Sequence, residues 1–594
     1  MESRPEVIIG IDLGTTNSEV AVYAEHTVTV IEGEDGKLLP SYVGLDDNGR
    51  LLVGAPALNQ YVLHPDRTIK SIKRLMGQAE QVKLGEKSYS PQEISAMMLR
   101  RLRQIAETHL GHSIDKAVIT VPAFFSDHQR QATREAGKIA GLEVVRIINE
   151  PTAATLVYES SHDGSKKVLV YDLGGGTFDV SLVEIQDDVV EVLASHGNNQ
   201  LGGDDFDGLI ENYVVEKLRE DGLVDIALQA RARIRRAAEN AKKHLSSQPF
   251  VLIEEEYLLD QDGVPYHLRV ELARADYEEM IEPLVDETLD AAHLVLKNSG
   301  ITATEVEEIL LVGGSTHTPL VQRKLEENFG MAPRFEMDPD LCVAAGAALQ
   351  AAMIGGSDIR AVLIDVTPYT FGISAIGEVD GILSYDKFVP IIRKNTPIPV
   401  TRGEVFYTVI DDQEVVEVKV FQGECEDARD NVEVGRFVVE GLGKYPASNE
   451  ILAQFALDAD GILQVSATEK ATGLAKSITI HNALTEGSEQ SLAKARDNIR
   501  QLFGDDSNAL ERESRTPSTA EQVPVRSEGA DNLFVEAGVL MEKGRNLLDT
   551  VGDDDKEDII ELLSAMNNAI AGHDIEDLGK HMDELSEIIF YLDS

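Results

Sequence analysis

IDLGTT at residues 11–16 and YDLGGGT at residues 171–177 are two copies of one short pattern, and this repeat decides the predicted fold. Each copy follows an apolar run and precedes an alternating run, an order typical of a strand, a tight turn and a second strand. One copy alone would indicate an ordinary hairpin turn. Glycine lets the backbone turn tightly and bring its N–H groups close to a ligand, and such groups suit phosphate oxygens. Two copies therefore predict two lobes that grip one nucleoside triphosphate from both sides.

The side chains of the two turns indicate how that ligand is held. An Asp ends the first strand of each copy, where a carboxylate is able to hold a hydrated divalent cation such as Mg²⁺. The Thr and Asn side chains and the glycine N–H groups then remain for the phosphates. The predicted cation and phosphate residues are Asp12, Gly14, Thr15, Thr16, Asn17, Asp172, Gly174, Gly175, Gly176 and Thr177.

Composition and charge limit the classes of function. With 594 residues, 43% hydrophobic and 27% charged, the chain is typical of a globular protein of several domains. Its net charge of -50 argues against nucleic acid or an anionic membrane surface as the main partner. No apolar run is long enough to span a membrane, and the N-terminus has no apolar signal core. Cys342 and Cys425 form neither a disulfide framework nor a metal-ligand spacing, so we expect a cytoplasmic location.

The sequence pattern changes along the chain, which predicts distinct parts. Strand-like and helix-like segments alternate up to about residue 354, an α/β pattern. The apolar segment 361–365 is either one more strand or a linker that docks on a neighbouring domain in one state only. Period-two strands follow and predict a β-sandwich, and the last part is helical. Within that part, the polar residues 504–530 contain Pro517 and Pro524 and should be irregular or disordered.

Six motifs in a fixed order extend the repeat to most of the first half of the chain. They are IDLGTTNS at 11–18, VPAFF at 121–125, INEPTAA at 148–154, DLGGGTFD at 172–179, LGGDDFD at 201–207 and LVGGST at 311–316. By these motifs the chain resembles the 70-kDa heat-shock chaperones of the bacterial DnaK type over nearly its whole length. The resemblance implies an actin-like (ribonuclease H-like) two-lobed ATPase at 1–360, a linker at 361–366, a β-sandwich substrate-binding domain at 367–483 and a helical lid at 484–594.

Phosphoryl transfer needs a cation, hydrogen-bond donors and an oriented water. Glu150 precedes Pro151, which fixes the backbone and aims the carboxylate at the attacking water. The resemblance implies that Lys73 reaches the γ-phosphate, with Asp172 and Thr177 as further catalytic residues. Asp179 is a candidate contact for the water or for K⁺.

The resemblance also implies residues for the base, the ribose and the remaining phosphate contacts of ATP and ADP. Glu239, Lys242, Lys243 and Ser246 share one helix face, which by itself would indicate only a solvent-facing surface. The other implied contacts are Gly202, Gly203, Gly313, Gly314, Ser315, His317 and Asp340. His317 stands where the family has an arginine stacked on the adenine, so we expect retained but weaker adenine affinity.

The resemblance also implies residues that couple the nucleotide site to the linker and residues that bind client peptides. Pro122, Arg130 and Asp365 match the relay between the nucleotide and the linker. Residues matching the groove for extended apolar peptides are Phe406, Val409, Val416 and Val418, whose alternative interpretation is sandwich core. A J-domain co-chaperone triggers hydrolysis in the family. Because the predicted lid is interrupted, tight closure of the lid stays an open question. The segment at 77–91 is short, so contact with a nucleotide exchange factor also stays an open question.

Two other classes of function use the same ATPase scaffold. A sugar or metabolite kinase would have no use for the β domain or an apolar linker, and the β domain also argues against an actin-like filament protein. The main prediction is an ATP-driven chaperone of unfolded segments. A specialised chaperone of the same family, serving one client such as an iron–sulfur scaffold, stays open.

Overall fold

The structure is a computed structural model. It describes residues 7–503 except 25, 160–164, 187–188, 262–263, 336–337, 358, 360, 380 and 480–488. Beyond 503 it describes only residues 537, 541, 562, 563, 565, 566, 569, 578, 580–582, 584 and 585. Most of the predicted lid, including the stretch at 504–530, therefore lies outside the described residues.

The first lobe consists of β1 (Ile8–Asp12), β2 (Asn17–Ala24), β3 (Thr27–Val30), β4 (Leu39–Pro40), β5 (Tyr42–Leu45), β6 (Leu51–Val53), α1 (Ala55–Tyr61), β7 (Thr68–Lys70), β8 (Val82–Leu84), β9 (Lys87–Tyr89), α2 (Pro91–Leu110), β10 (Lys116–Val121), α3 (Asp127–Ala140) and β11 (Glu143–Asn149). Its main sheet has the order β11-β10-β1-β2-β3, with β4 paired to β2. β1 is parallel to β10 and antiparallel to β2, so the first Asp-Leu-Gly turn lies at the carboxyl end of β1.

The second lobe consists of α4 (Glu150–Glu159), β12 (Lys166–Leu173), β13 (Phe178–Gln186), β14 (Val189–Asn198), α5 (Gly203–Glu220), α6 (Leu228–Leu245), β15 (Phe250–Gln261), β16 (Val264–Ala273), α7 (Arg274–Ser299), β17 (Glu308–Val312), α8 (Pro319–Phe329) and α9 (Cys342–Ile354). β12 pairs antiparallel with β13 and parallel with β17, which repeats the arrangement around β1. The predicted duplication of strand, turn and strand is thus present in the fold.

Helices begin and end where the sequence supplies caps. Ser90 and Glu93 form a capping box at the start of α2, Pro91 takes the first helical position, and Gly111 ends the helix in the left-handed conformation. The apolar residues of α2 then lie in the core of the first lobe. α9 packs across β1 so closely that a Cβ on Gly10 would lie 2.2 Å from the backbone nitrogen of Ala348. Glycine at position 10 therefore fixes the distance between helix and sheet.

Two four-stranded sheets follow in the chain. They are formed by β19 (Phe371–Val379), β20 (Ile382–Ile392), β22 (Val400–Tyr407), β23 (Val415–Gln422), β24 (Val432–Glu440), β25 (Glu450–Leu457), β26 (Leu463–Glu469) and β27 (Ala475–Thr479). Their orders are β20-β19-β23-β24 and β22-β25-β26-β27, and their apolar faces share one core. Residues 458–461 form the turn of a hairpin between β25 and β26.

The apolar segment before this domain forms β18 (Val362–Val366). β18 pairs parallel with β14 of the second lobe and antiparallel with the short β21 (Pro397–Ile398). The segment is thus a strand that pairs with the second lobe, and its role as a linker that docks in one state only stays a prediction.

One further helix, α10 (Glu489–Phe503), follows the β domain and contacts the first lobe. Ile499 is fully buried in the core of that lobe, and Arg496 donates to the backbone oxygen of Lys138 at 2.8 Å. The Arg100 guanidinium lies 4.9 Å from the centre of the Phe503 ring. Of the helices in the described part of the chain, none is long and apolar enough to cross a membrane.

Candidate functional site

The two Asp-Leu-Gly turns face each other across the cleft between the lobes. A Cβ on Gly175 would lie 1.8 Å from Thr16 Oγ1, and one on Gly176 would lie 2.4 Å from Thr15 Cγ2. The contact is close because neither glycine has a side chain. The backbone N–H of Gly203 donates to the carbonyl oxygen of Gly174 at 3.0 Å.

Other predicted phosphate contacts surround the second turn. Ser315 Oγ donates to the same Gly174 oxygen at 2.8 Å. A Cβ on Gly313 would lie 2.8 Å from Asp172 Oδ1, and one on Gly202 would lie 2.6 Å from the nitrogen of Gly176. The structure therefore brings together the predicted residues of the two turns with those of two later segments, 202–203 and 313–315.

Three buried carboxyl groups, one half-buried carboxyl group and one buried lysine lie beside the turns. Lys73 Nζ donates to Glu150 Oε1 at 2.5 Å, and the two residues are 3% and 6% exposed. Burial lowers the pKa of Lys73, but the charges of Glu150 and Asp12 outweigh it and leave the pKa above its usual value. Burial raises the pKa of Glu150 to about 8, although Lys73 acts against it. Burial, together with the charge of Glu150, also holds the pKa of Asp172 well above its usual value.

The remaining carboxylates are held by neighbouring donors. Thr120 Oγ1 donates to Asp12 Oδ1 at 2.8 Å, and the backbone N–H of Phe124 donates to Asp179 Oδ1 at 2.8 Å. Burial raises the pKa of Asp179 to about 7. Acidic groups thus outnumber the one lysine among them, a donor set that fits a divalent cation. Among the described residues, no three His, Cys, Asp or Glu side chains are grouped to ligate a metal directly. A cation here would therefore use one or two carboxylates together with water and phosphate oxygens.

The predicted base-binding residues divide into two sets. Lys242 points into the site, donating to the backbone oxygen of Gly203 at 2.9 Å and pairing with Asp207 at 2.9 Å. Lys243 pairs instead with Glu239 at 2.6 Å, and its side chain is 64% exposed. Ser246 caps the end of α6, and its Oγ donates to the Lys242 carbonyl at 3.5 Å.

His317 lies in a short 3-10 helix, Gly314–His317, and stacks on an aromatic partner that the sequence analysis missed. Its ring centre is 4.9 Å from that of Phe335, with 26° between the planes. Asp340 adjoins the same segment, since a Cβ on Gly314 would lie 2.9 Å from Asp340 Oδ1. The predicted residues Gly314, His317 and Asp340 are therefore neighbours.

A chain of side-chain hydrogen bonds joins the site to β18. Arg130 Nη2 donates to Asn149 Oδ1 at 2.7 Å, and Asn149 Nδ2 donates to Asp365 Oδ2 at 2.8 Å. Thr152 Oγ1 also donates to Asp365 Oδ2, at 3.0 Å. Pro122 is buried, and its carbonyl accepts from the Phe125 N–H at 3.1 Å. Asn149 was not predicted, although it directly precedes Glu150 in one of the quoted motifs.

The β25–β26 hairpin loop contacts the first lobe through Asp460. The backbone N–H of Ile147 donates to Asp460 Oδ1 at 2.9 Å, and Asp460 forms ion pairs with Arg134 and Arg146. In the same interface, Asp127 Oδ1 accepts from the Leu463 N–H at 3.0 Å. No sequence pattern predicts these contacts, because the partners are more than 300 residues apart.

The four predicted groove residues have different environments. Val418 is buried in the shared core of the two sheets, and Phe406 and Val416 pack against that core while partly exposed. Val409 is 60% exposed. Their assignment to a peptide groove stays a prediction.

Comparison with known proteins gives matches over nearly the full length. A family model described as "Hsp70 protein" matches residues 8–592. The "Chaperone protein DnaK" of Thermotoga neapolitana is 40% identical over 606 aligned residues, which cover 99% of this chain and 96% of that protein.

Proposed function

The chain belongs to the Hsp70 family, whose members are ATPases that act as chaperones, and on this premise we propose that ATP bound between the paired turns controls the capture of extended apolar peptides. The observation that carries the proposal is the hydrogen-bonded chain from Arg130 through Asn149 to Asp365. Asn149 directly precedes the proposed catalytic Glu150 and hydrogen-bonds to Asp365 of the proposed linker. A movement of Glu150 upon loss of the γ-phosphate would therefore be passed to the linker through Asn149. The proposed parts are an ATPase domain at 1–360, a linker at 361–366, a β-sandwich peptide-binding domain at 367–483 and a lid at 484–594.

In this proposal the residues of the cleft divide the work of hydrolysis. Asp12 and Asp172 hold Mg²⁺ through water, and the turns supply hydroxyl and N–H donors to the phosphates. When bound, Mg²⁺ neutralises the charge of the β- and γ-phosphates. Lys73 leaves Glu150 for the γ-phosphate, so that the Glu150 carboxylate is free to orient the attacking water. We assign Thr177 to the same step and Asp179 to a water or K⁺ beside it.

Recognition of the base is proposed to depend on stacking at His317. The Phe335 ring fixes one face of the imidazole, which leaves the other face for the adenine. Glu239, Lys242, Lys243 and Ser246 would contact the base and the ribose from α6.

Replacing His317 by Arg should tighten ADP binding about 5-fold, because a permanent guanidinium charge stacks on a π face more strongly than an imidazole. Isothermal titration calorimetry of the full chain measures the dissociation constant. His293→Arg is the matched control, since His293 stacks on Phe329 at 5.5 Å away from the cleft. Equal affinity of His317→Arg and the unchanged chain would show that His317 does not contact the base.

The docked β domain is proposed to be the state of low peptide affinity. Interdomain contacts present in one nucleotide state and absent in the other are what couples two binding sites. Loss of the γ-phosphate would release β18 from β14, undock the β domain and close the groove around Phe406, Val409, Val416 and Val418 on the peptide.

Docking should strengthen as the pH falls from 8 to 6.5. Burial in the interface raises the pKa of Asp127 to about 7, with the charge of Asp458 also raising it and Arg130 lowering it. An exposed Asp titrates near pH 4, so the docked state binds the proton more tightly, and this contribution is lost as the pH rises through about 7. Titration of Asp127 by itself should therefore make the docking constant about 4-fold higher at pH 6.5 than at pH 8.

Small-angle X-ray scattering of the full chain with ATP measures the docked fraction across this range. Asp127→Asn should remove this rise in docking at low pH. His128 in the same interface has a pKa lowered by burial, so its protonation in the undocked state partly offsets the effect of Asp127 near pH 6.5. A docked fraction that rises equally in the unchanged chain and in Asp127→Asn would contradict the assignment to Asp127.

The proposed partners are unfolded or extended apolar segments, a J-domain co-chaperone and a nucleotide exchange factor, and the proposed location is cytoplasmic. A specialised chaperone with one client, such as an iron–sulfur scaffold, would use the same mechanism. Its peptide groove would accept a narrower range of sequences.

Single-turnover ATP hydrolysis with and without an apolar peptide and a J-domain protein tests the proposed function. Stimulation by unrelated apolar peptides supports a general chaperone, and stimulation by one partner alone supports a specialist. If neither peptide nor J-domain protein changes the rate, the proposed coupling is wrong.

A further inference from the structure

Ser41 is a buried residue that contacts the first Asp-Leu-Gly turn and has no part in the proposed hydrolysis. It lies between β4 and β5 and is 2% exposed. Its hydroxyl donates to the carbonyl oxygen of Gly14 at 2.8 Å, and its backbone N–H donates to the carbonyl oxygen of Thr16 at 2.8 Å. A single residue outside the turn therefore holds two of the carbonyl groups of the turn.

A second buried serine fixes the hydroxyl of Ser41. Ser18 on β2 is fully buried, and its Oγ atom lies 2.9 Å from that of Ser41. A serine hydroxyl has one hydrogen to donate, and Ser41 gives its hydrogen to Gly14, so Ser18 is the donor between the two serines. The Ser41 hydroxyl is therefore held both at its hydrogen and at its oxygen.

These contacts orient two N–H groups of the turn. A peptide unit is planar and trans, so its N–H points to the side opposite its C=O. The Gly14 carbonyl shares a peptide unit with the Thr15 N–H, and the Thr16 carbonyl shares one with the Asn17 N–H. Because Ser41 binds both oxygens, both N–H groups are directed away from it.

The second Asp-Leu-Gly turn is held in the same way. Ser315, which is also remote in sequence from its turn, donates through Oγ to the carbonyl oxygen of Gly174 at 2.8 Å. Gly174 has the position in the second pattern that Gly14 has in the first, so the two serines bind the same carbonyl of the repeat. Serines from unrelated segments thus make one contact in both lobes, which favours a role in the task that the turns share.

We propose that Ser41 is a positioning residue of the ATPase site, which orients the Thr15 and Asn17 N–H groups toward the phosphates of ATP and ADP. The proposal rests on the assignment of the first turn to the phosphates under the proposed function. Gly14 has no side chain to limit its backbone rotation, so without the serine hydroxyl the peptide between Gly14 and Thr15 is free to flip. A flipped peptide presents a carbonyl oxygen to the phosphate, and neither group then has a hydrogen to donate.

Isothermal titration calorimetry of the full chain with MgADP tests the proposal. Ser41→Ala removes the hydroxyl and keeps the backbone N–H, and it should weaken MgADP binding about 10-fold. The ³¹P magnetic resonance signals of bound MgADP should also shift, because they report the donors around each phosphate. A loss of packing alone would leave these signals where they are in the unchanged chain.

Ser195→Ala is the matched control. Ser195 Oγ lies 2.7 Å from Ser181 Oγ in another buried serine pair, which joins β14 to β13. Within the described part of the chain, neither of these hydroxyls is hydrogen-bonded to a turn. Both variants lose one hydroxyl from a buried pair, so both should lower the urea midpoint of unfolding to a comparable extent. Only Ser41→Ala should change the affinity and the ³¹P signals of MgADP.

The proposal stands only if both quantities change. Equal MgADP affinity in Ser41→Ala and Ser195→Ala overturns it, and so does weaker binding with unshifted ³¹P signals. If Ser41→Ala does not fold, Ser18→Ala decides instead, because it removes the donor to the Ser41 hydroxyl and leaves the bond to Gly14. Ser18→Ala should weaken MgADP binding about 3-fold and shift the ³¹P signals, and unshifted signals overturn the proposal. Failure of the unchanged chain to bind MgADP would instead refute the proposed function.

Discussion

Replacing Lys73 by Met is expected to lower the single-turnover rate of ATP hydrolysis by about 10³-fold. The Lys73 ammonium is fully buried, so its charge acts on the phosphates with little screening by water. Methionine keeps the length and the apolar stem of the side chain but cannot neutralise the charge that develops on the γ-phosphate. The rate is measured by release of phosphate from a preformed complex with ATP, which separates hydrolysis from binding.

The same change should also lower the free energy of unfolding. Glu150 would lose its partner in a buried position, a loss that costs about 3 to 5 kcal/mol before the carboxyl takes up a proton. The double variant Lys73→Met/Glu150→Gln should recover most of this stability, measured by urea unfolding, without recovering hydrolysis. Lys83→Met, which changes an exposed lysine of β8, is the control and should alter neither quantity. A rate in Lys73→Met within about 3-fold of the unchanged chain would contradict the role assigned to Lys73.

Replacing Asp460 by Asn is expected to undock the β domain. The amide keeps the acceptor for the Ile147 N–H but removes the Asp460 carboxylate from its ion pairs with Arg134 and Arg146 in a buried interface. Burial already lowers the pKa of Arg146 to about 10, which shows how poorly that charge is solvated. Breaking such a contact costs about 3 kcal/mol, so the ratio of docked to undocked chains should fall about 100-fold.

Fluorescence energy transfer reports this change directly. Cys425 is exposed on the β domain and Cys342 is buried, so a second dye site at Ser88→Cys on the first lobe completes the pair. With ATP bound, Asp460→Asn should show the transfer efficiency that the unchanged chain shows with ADP, and peptide should no longer stimulate hydrolysis. Glu433→Gln removes one charge from an exposed ion pair with Arg436 and should behave as the unchanged chain. High transfer efficiency in Asp460→Asn with ATP would refute the role of this loop in docking.

The elements of the fold were predictable where the signal is local. The repeated Asp-Leu-Gly turns, the caps of α2 and the hairpin between β25 and β26 are encoded within about twenty residues of sequence. The docking of β18 on β14 was not decided by local pattern, because a strand and a docked linker have the same apolar composition. The pairing of β18 with residues 189–191 became visible only in the structure.

Site residues that lie inside a motif could be predicted from the sequence. The residues that contact and position them could not. The contacts of Gly175 and Gly176 with Thr16 and Thr15 follow from two facing turns. Phe335 and Asp460 carry no pattern of their own, since their partners are remote in sequence or are reached through tertiary packing. Glu19 has the pattern of an ordinary alternating strand, and its position opposite Asp12 became visible only in the register of β1 and β2.

The short ladder between β14 and β18 has a mechanical consequence. Only three residues of β18 have partners on β14, whereas each domain is held by a core of many buried side chains. A pulling force between the β domain and the lobes loads this ladder and the Asp460 contacts in series with both cores, so we expect these interdomain contacts to yield at the lowest force while both domains stay folded. Tension on a bound polypeptide would then undock the β domain by itself, and the chain would respond to mechanical load as well as to the nucleotide.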